Sequence, residues 1–293
     1  MALENLQGPL TRVAAIHDIS GFGKCSMTVA LPVLSAAGIE VCCMPTAVLS
    51  THTGGFEGFT YRDLTEDLLP FEKHWKSLGL EFAAVYSGFL GSPEQVAIVS
   101  EFIDDFNSEQ TLIFIDPVMG DNGQLYSVFD DAMVRGMRAL CRKADVLLPN
   151  MTEAAFLLDR PYTEGPYTEK QLREILEALA VMGPEQIVLT GVSLKADEVG
   201  SACFDAKTGD LEIFTVEHVP GQFHGTGDVY ASFCLAGLEN GMTLKDAAAF
   251  AVDLTRQCIL RTVARGTPRR EGVDFEGVLP EMMMRLGLFK DPR

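Results

Sequence analysis

Apolar positions along this chain switch period several times. Arg12 to His17 is short and almost continuously apolar, as for a strand covered on both faces. Met27, Ala30, Leu31 and Leu34 then fall on one side of a helical wheel and predict a helix over about 26–37, closed by Gly38. Ile39 to Met44 with Ala47 to Leu49 reads as the second strand and its extension, and the polar, glycine-rich stretch Ser50 to Gly58 reads as a loop. Further strands are expected at Phe82–Ser87, Leu112–Asp116, Val146–Leu148 and Ile187–Thr190, each leading into helix-forming sequence. Ser201–Phe204 and Leu211–Val216, joined by Asp205-Ala206-Lys207-Thr208-Gly209-Asp210, predict an antiparallel hairpin. Two helices follow, about 229–240 and 244–264, the second with Leu244, Ala247, Ala248, Ala251, Leu254 and Cys258 on one buried face.

Strands alternating with helices need crossover connections, which gives an α/β fold with a mostly parallel sheet. No Pro/Gly/Ser linker interrupts the pattern, so 12–290 is expected to be one domain. Residues 1–11 read as a loose, disordered leader. Four strands end at polar or glycine residues: Ser87-Gly88, Asp116-Pro117, Pro149-Asn150 and Thr190-Gly191. Ligands of open α/β sheets bind beyond such carboxyl ends.

Composition narrows the partners. With 41 acidic and 23 basic residues among 293, the formal charge of −18 repels polyanions and argues against nucleic-acid and anionic-membrane binding. Any phosphate site must therefore be a local cradle of backbone amides, assisted by a metal cation. The 7 cysteines are odd in number, lack CxxC spacing and sit mostly in apolar runs, which suits a reduced, cytoplasmic protein. No run approaches the roughly 18 apolar residues of a membrane span.

Two motifs are decoys. Gly21-Phe22-Gly23-Lys24-Cys25-Ser26 lacks the glycine and hydroxyl of a P-loop, since Asp18 and Cys25 occupy those positions; Ser26 stands where a dinucleotide fingerprint has its third glycine. It reads as a tight strand-to-helix turn. His17, His52, His74, His218 and His224 show no paired spacing for zinc, and no serine has a nucleophile-elbow context.

The chemistry lies elsewhere. Gly225-Thr226-Gly227-Asp228 leads straight into helical sequence, so successive N–H groups can converge at a helix N-terminus as an anion hole, with a carboxylate placed to take a proton from an attacking alcohol. Alone, Asp228 would more simply be a helix cap. Asp116-Pro117-Val118-Met119-Gly120-Asp121 and Asn150-Met151-Thr152-Glu153 add three carboxylates and an amide at other strand ends, a donor set that suits Mg²⁺ on nucleotide phosphates and points to phosphoryl transfer.

In that order and spacing, the Asp116–Asp121 segment, Pro149-Asn150-x-x-Glu153-Ala154 and Gly225–Asp228 resemble the ribokinase superfamily, and specifically its vitamin kinase branch. Ser50-Thr51-His52-Thr53-Gly54 is similar to the Ser-Asn-His-Thr segment of pyridoxal kinases. The likeness runs from about Val13 to Arg265. It implies a ribokinase-like fold: a mostly parallel central sheet with helices on both faces and a small antiparallel hairpin.

It further implies a homodimer using ATP with Mg²⁺. The base would be Asp228, with Gly225, Thr226 and Gly227 holding the phosphoryl group. Asp116, Asp121 and Glu153 would position the metal, Asp121 and Glu153 through water. Asn150, Thr190 and Gly191 would lie at the nucleotide, and Asp18, Thr46, His52, Thr53 and Phe89 around the vitamin ring.

Departures bear on the ring and the ions. Asp18 replaces a ring-contacting serine, Leu49 an aromatic residue and Phe89 a common tyrosine. Leu148 stands where a threonine accompanies a monovalent cation. The reaction expected is ATP-dependent phosphorylation of the 5′-hydroxymethyl group of pyridoxal, pyridoxine or pyridoxamine. The rivals are a hydroxymethylpyrimidine kinase, because His224-Gly225-Thr226-Gly227 also resembles those enzymes although they commonly carry cysteine at the Asp228 position, and a non-catalytic vitamin-binding protein. The segment expected to close over the nucleotide is Gly120 to Tyr126, where glycine and asparagine suit a mobile turn.

Overall fold

The first strand of the chain lies inside the sheet, flanked by strands reached in opposite directions. The computed structural model describes residues 10–288. In chain order it runs through β1 (Arg12–Ser20), α1 (Met27–Ala36), β2 (Glu40–Leu49), β3 (Tyr61–Asp63), α2 (Thr65–Ser77), β4 (Ala84–Ser87), α3 (Pro93–Phe106) and β5 (Leu112–Ile115). A small hairpin, β6 (Gly120–Asp121) and β7 (Gln124–Leu125), precedes α4 (Asp131–Cys141), β8 (Val146–Leu147), α5 (Met151–Leu158) and α6 (Glu169–Ala180). The chain finishes with β9 (Gln186–Val192), β10 (Glu198–Asp205), β11 (Asp210–Glu217), α7 (Thr226–Glu239), α8 (Leu244–Arg265) and α9 (Leu279–Arg285).

The main sheet has the order β11-β10-β9-β8-β5-β4-β1-β2-β3. It is parallel from β9 to β2, while β10 and β3 run antiparallel to these strands and β11 pairs antiparallel with β10 at the edge. From β1 the chain moves to β2 on one side and later to β4 on the other. The carboxyl ends of β1 and β4 therefore border a switch-point crevice, where a ligand meets loops diverging to both sides.

Helices cover both faces, as the resemblance implies. Val29, Val33, Phe233, Ala247 and Met282 belong to a core under α1, α7, α8 and α9, while Leu68, Phe102, Met137, Leu157 and Leu176 belong to a second core under α2 to α6. Strands between two apolar layers carry few polar residues, which is why their sequences are near-continuous apolar runs.

Several boundaries differ from the sequence reading. β2 is unbroken through Pro45, which pairs with His17 across a register irregularity, and β1 continues to Ser20. Proline fits here because the pairing is locally irregular. β9 runs to Val192 and passes directly into the β10–β11 hairpin, with no helix between. β3 was not legible because all three of its residues are exposed. The expected loop Gly120–Tyr126 is largely a two-stranded hairpin, whose strands are too short to show a period. The helix expected from 229 begins at Thr226. The 1–11 leader falls almost wholly outside the described residues, as do residues 289–290.

Candidate functional site

The cradle at the start of α7 is built by two glycines with different reasons for being glycine. Gly225 is the N-cap and has φ +74°; a Cβ there would overlap the Lys24 carbonyl oxygen, so the loop backs tightly onto the β1–α1 turn. Gly227 has ordinary backbone geometry, and a Cβ on it would meet no atom within 4 Å. Its bareness leaves space on the cleft side, as close approach of a ligand to backbone N–H groups requires. The Thr226 hydroxyl is turned away, donating to the Phe223 carbonyl at 3.1 Å. Only its main chain contributes to the cradle.

Asp228 occupies the first turn of α7 and does not cap the helix through its side chain. Desolvation pushes its carboxyl up to about 7, and the nearby Asp18 carboxylate adds to the rise, while the Ser26 and Asp228 backbone amides favour the charged form. Asp18, at the end of β1, accepts the Ser20 hydroxyl at 3.1 Å and is itself raised by burial. Ser26 takes the unusual φ of 49° needed to bring its amide round to Asp228. The turn at 21–26 thus supports the Asp228 carboxyl.

On the opposite side, the β5 and β8 ends are tied together through α5. Asn150 and Glu153 form a capping box, with Asn150 Oδ1 accepting the Glu153 amide at 2.9 Å and Glu153 Oε2 accepting the Asn150 amide at 2.8 Å. Glu153 Oε1 also accepts the Met119 amide at 3.0 Å, and Asn150 Nδ2 donates to the Gly120 carbonyl at 2.9 Å. These side chains fix the β6–β7 hairpin, further held by the Gly123 amide donating to Thr152 Oγ1 at 2.9 Å.

Burial pushes Glu153 up to about 8, with Asp121 adding repulsion; burial also raises Asp116, helped by Glu153 and Asp228. Asp121 is exposed at the hairpin tip and accepts from Asn122. Tyr126, just beyond the hairpin, has its phenol raised by burial and then by Glu153, Asp121, Asp228 and Asp116 together.

Around the expected ring site the assignments separate. His52 is buried, with Nε2 at 2.7 Å from the Arg270 carbonyl and Nδ1 accepting the Gly54 amide at 3.1 Å, which fixes a neutral Nε2–H tautomer. Both ring nitrogens serve the main chain. Thr46 is fully buried and donates to the Phe89 carbonyl at 3.1 Å, so its side chain anchors the Phe89 segment. Thr53 is exposed on its loop, and Phe89 stacks on Phe129 with centroids 5.5 Å apart. Thr190 lies within β9, its hydroxyl 3.4 Å from the Pro149 carbonyl, and Gly191 (φ +73°) opens onto free space.

Sequence reasoning passed over Tyr86, Tyr126 and the placement of His224. Tyr86 is fully buried on β4, where Asp116 and Asp228 both bear on its hydroxyl. Its neighbours in sequence are apolar or small, so nothing there marked a site; for His224 the adjacency to Gly225 was a usable signal.

Residues 30–271 match the model of the phosphomethylpyrimidine kinase family. The chain belongs to that family. Solved structures extend the likeness over nearly the whole chain. A pyridoxal kinase from Lactobacillus plantarum is 33% identical, with a TM-score of 0.87 over 94% of this chain and 98% of its own. A candidate phosphomethylpyrimidine kinase from Bacteroides thetaiotaomicron, crystallised with pyridoxal, is 39% identical, with a TM-score of 0.86 over 94% and 96%. Bovine pyridoxal kinase is 26% identical over 270 residues, 84% of this chain and 83% of its own. The fold is ribokinase-like, and the protein is a kinase.

In this kinase the fit to Mg²⁺ can be tested on the acids themselves. Asp116 is repelled by both Glu153 and Asp228, Glu153 by Asp121 and Asp228 by Asp18, and no cationic side chain is among the main groups that bear on these buried acids. A divalent cation would relieve that repulsion. Among the described residues no three His, Cys, Asp or Glu side chains form a ready-made cage.

Proposed function

We propose that this kinase transfers the γ-phosphoryl group of ATP to the 5′-hydroxymethyl oxygen of a vitamin B6 vitamer. The observation that carries the reading is Asp228: a desolvated carboxyl raised to about 7, at the mouth of a glycine cradle whose second glycine faces open space. A base poised near neutral pH suits removal of an alcohol proton as the oxygen attacks. The Gly225, Thr226 and Gly227 amides and the α7 dipole then stabilise the phosphoryl oxygens. Asp18, Thr53 and Phe89 surround the ring, with Asp18 able to accept from the ring hydroxyl or a protonated ring nitrogen.

Asp116 would hold Mg²⁺, with Asp121 and Glu153 acting through water, while Asn150, Thr190 and Gly191 border the nucleotide. Bound there, Mg²⁺ would neutralise charge on the phosphates. A monovalent cation would have to share Asp116, because the apolar core residue Leu148 brings no side-chain oxygen. The pyridoxal kinase relatives and the related structure with pyridoxal support the choice of substrate.

A second reading, phosphorylation of a hydroxymethylpyrimidine, is favoured by the name of the matching family and by His224 before the cradle. ADP release from MgATP, measured in parallel with pyridoxal, pyridoxine, pyridoxamine and hydroxymethyl-aminopyrimidine, separates the two. Turnover confined to the B6 forms is expected; turnover mainly with the pyrimidine transfers the site to the second reading, and silence with all four overturns both. We also propose a cytoplasmic homodimer. The free state of all seven cysteines fits a reducing compartment, and Val48 and Tyr61 are exposed on the β2–β3 edge.

A further inference from the structure

Four segments meet beside the anion cradle: the β1–α1 turn, the loop 50–58, the loop leading into α7 and the short 3-10 turn Arg269–Glu271. His52 is their hub, bonded to the Arg270 carbonyl on one side and the Gly54 amide on the other. A Cβ on Gly23 would overlap its ring. His224 packs against this hub but is held differently. Its ring centroid is 5.0 Å from that of His52 at 32°, and its backbone amide is committed to the Arg269 carbonyl at 3.3 Å. Its ring is half-buried, lying over Gly54, where a Cβ would come within 2.6 Å of Nδ1, and beside Gly55, where a Cβ would stand 3.7 Å from Nε2.

Among the described residues no hydrogen bond reaches either nitrogen of the His224 ring, whereas His52 has both nitrogens satisfied. Neither nitrogen is sealed from solvent, so both remain free to bond a bound group. The surroundings indicate which group. His224 immediately precedes Gly225, and the Thr226 hydroxyl of the cradle is turned back onto the Phe223 carbonyl. On one side stand His52 and the glycines Gly54 and Gly55 of the loop 50–58, and the charge of the Asp121 carboxylate favours the protonated imidazole.

We infer that His224 is a further catalytic residue of the kinase, donating a ring N–H to an oxygen of the phosphoryl group as it passes between the cradle and the substrate hydroxyl. This rests on the phosphotransfer reading above. No proton leaves the imidazole: Asp228 takes the alcohol proton, the bond from phosphorus to the ADP oxygen breaks as the bond to the alcohol oxygen forms, and His224 contributes only a hydrogen bond that strengthens as charge develops. Burial and the neighbouring His52 both hold the ring toward its neutral form, in which one nitrogen still carries a hydrogen.

His224→Phe preserves a flat ring against His52 and removes the donor; His224→Gln retains a donor. Steady-state kinetics with pyridoxal and MgATP should show kcat for the Phe variant reduced about tenfold or more, KM for either substrate changed by no more than about threefold, and partial recovery of kcat in the Gln variant. In His224→Ala, added imidazole should restore part of the lost turnover. A Phe variant with wild-type kcat overturns the inference. So does a loss confined to KM, or equal losses in the Phe and Gln variants with no imidazole rescue, since those outcomes describe packing. Wild-type protein silent with every vitamer would overturn the functional reading itself, a result distinct from any of these.

Discussion

Asn150 and Glu153 cap the same helix end from both directions, each side chain accepting the other's backbone amide, and Glu153 at the same time holds the Met119 amide of the segment after β5. A residue read as a metal ligand is therefore also the fastening between two strand ends. Glu153→Gln keeps one carbonyl acceptor and lowers the charge. We expect it to cost about 1 kcal/mol of stability, in the range of lost capping interactions, and to raise several-fold the Mg²⁺ concentration giving half-maximal rate. Urea denaturation and Mg²⁺ titration of initial rates measure the two effects separately. A stability loss with unchanged Mg²⁺ dependence would leave Glu153 a fastening alone.

Asp228→Asn removes the base while retaining the size and hydrogen-bonding capacity of the side chain. The expected result is a fall in kcat of roughly 10²-fold or more with KM little changed, as for an interaction made in the transition state. Steady-state assays decide it, and an unchanged kcat would remove Asp228 from the mechanism.

The raised carboxyls make stability depend on pH with a definite sign. Asp116, Glu153 and Asp228 all bind their protons more tightly in the folded protein, Glu153 up to about 8 and Asp228 up to about 7. The folded state thus holds more protons than the unfolded one above the ordinary carboxylate range, and these groups lower stability as pH rises from about 4 through 8. Asp116→Asn removes one of them. Thermal unfolding of the ligand-free variant should lose less stability than wild type between pH 5 and pH 8. Identical slopes would mean that Asp116 is not held protonated by its surroundings. In activity the same ionisation runs the other way, with kcat/KM falling on the acid side of about pH 7 as Asp228 becomes protonated.

The two cradle glycines should separate folding from function. Gly225→Ala places a methyl group on the Lys24 carbonyl at a positive φ and should cost more than about 1 kcal/mol. Gly227→Ala meets no protein atom and lies in a helix, so stability should hold or rise by up to about 1 kcal/mol. Turnover should nevertheless fall at least tenfold as the methyl group enters the phosphoryl's space. Melting curves with parallel ADP-release assays test the pair; an active Gly227→Ala variant would place the phosphoryl elsewhere.

The sequence by itself determined what periodicity and local chemistry can encode. The alternation of doubly covered apolar strands with one-faced helices specified a mostly parallel sheet, and Gly225-Thr226-Gly227-Asp228 specified a helix start suited to an anion. Short or fully exposed elements such as β3 and the β6–β7 hairpin left no period to read. Tertiary structure decided which polar groups remain available for chemistry. Thr46, Thr226, Asn150 and both nitrogens of His52 bond to main-chain groups, three of those four side chains across separations of 30 residues or more. It also decided how charged the acids are, because the desolvation of Asp116, Glu153 and Asp228 and the repulsion of Asp116 by the other two arise only when distant strand ends and α7 converge. A residue's type travels with the sequence, whereas its partners and its solvent are set by what the fold brings against it.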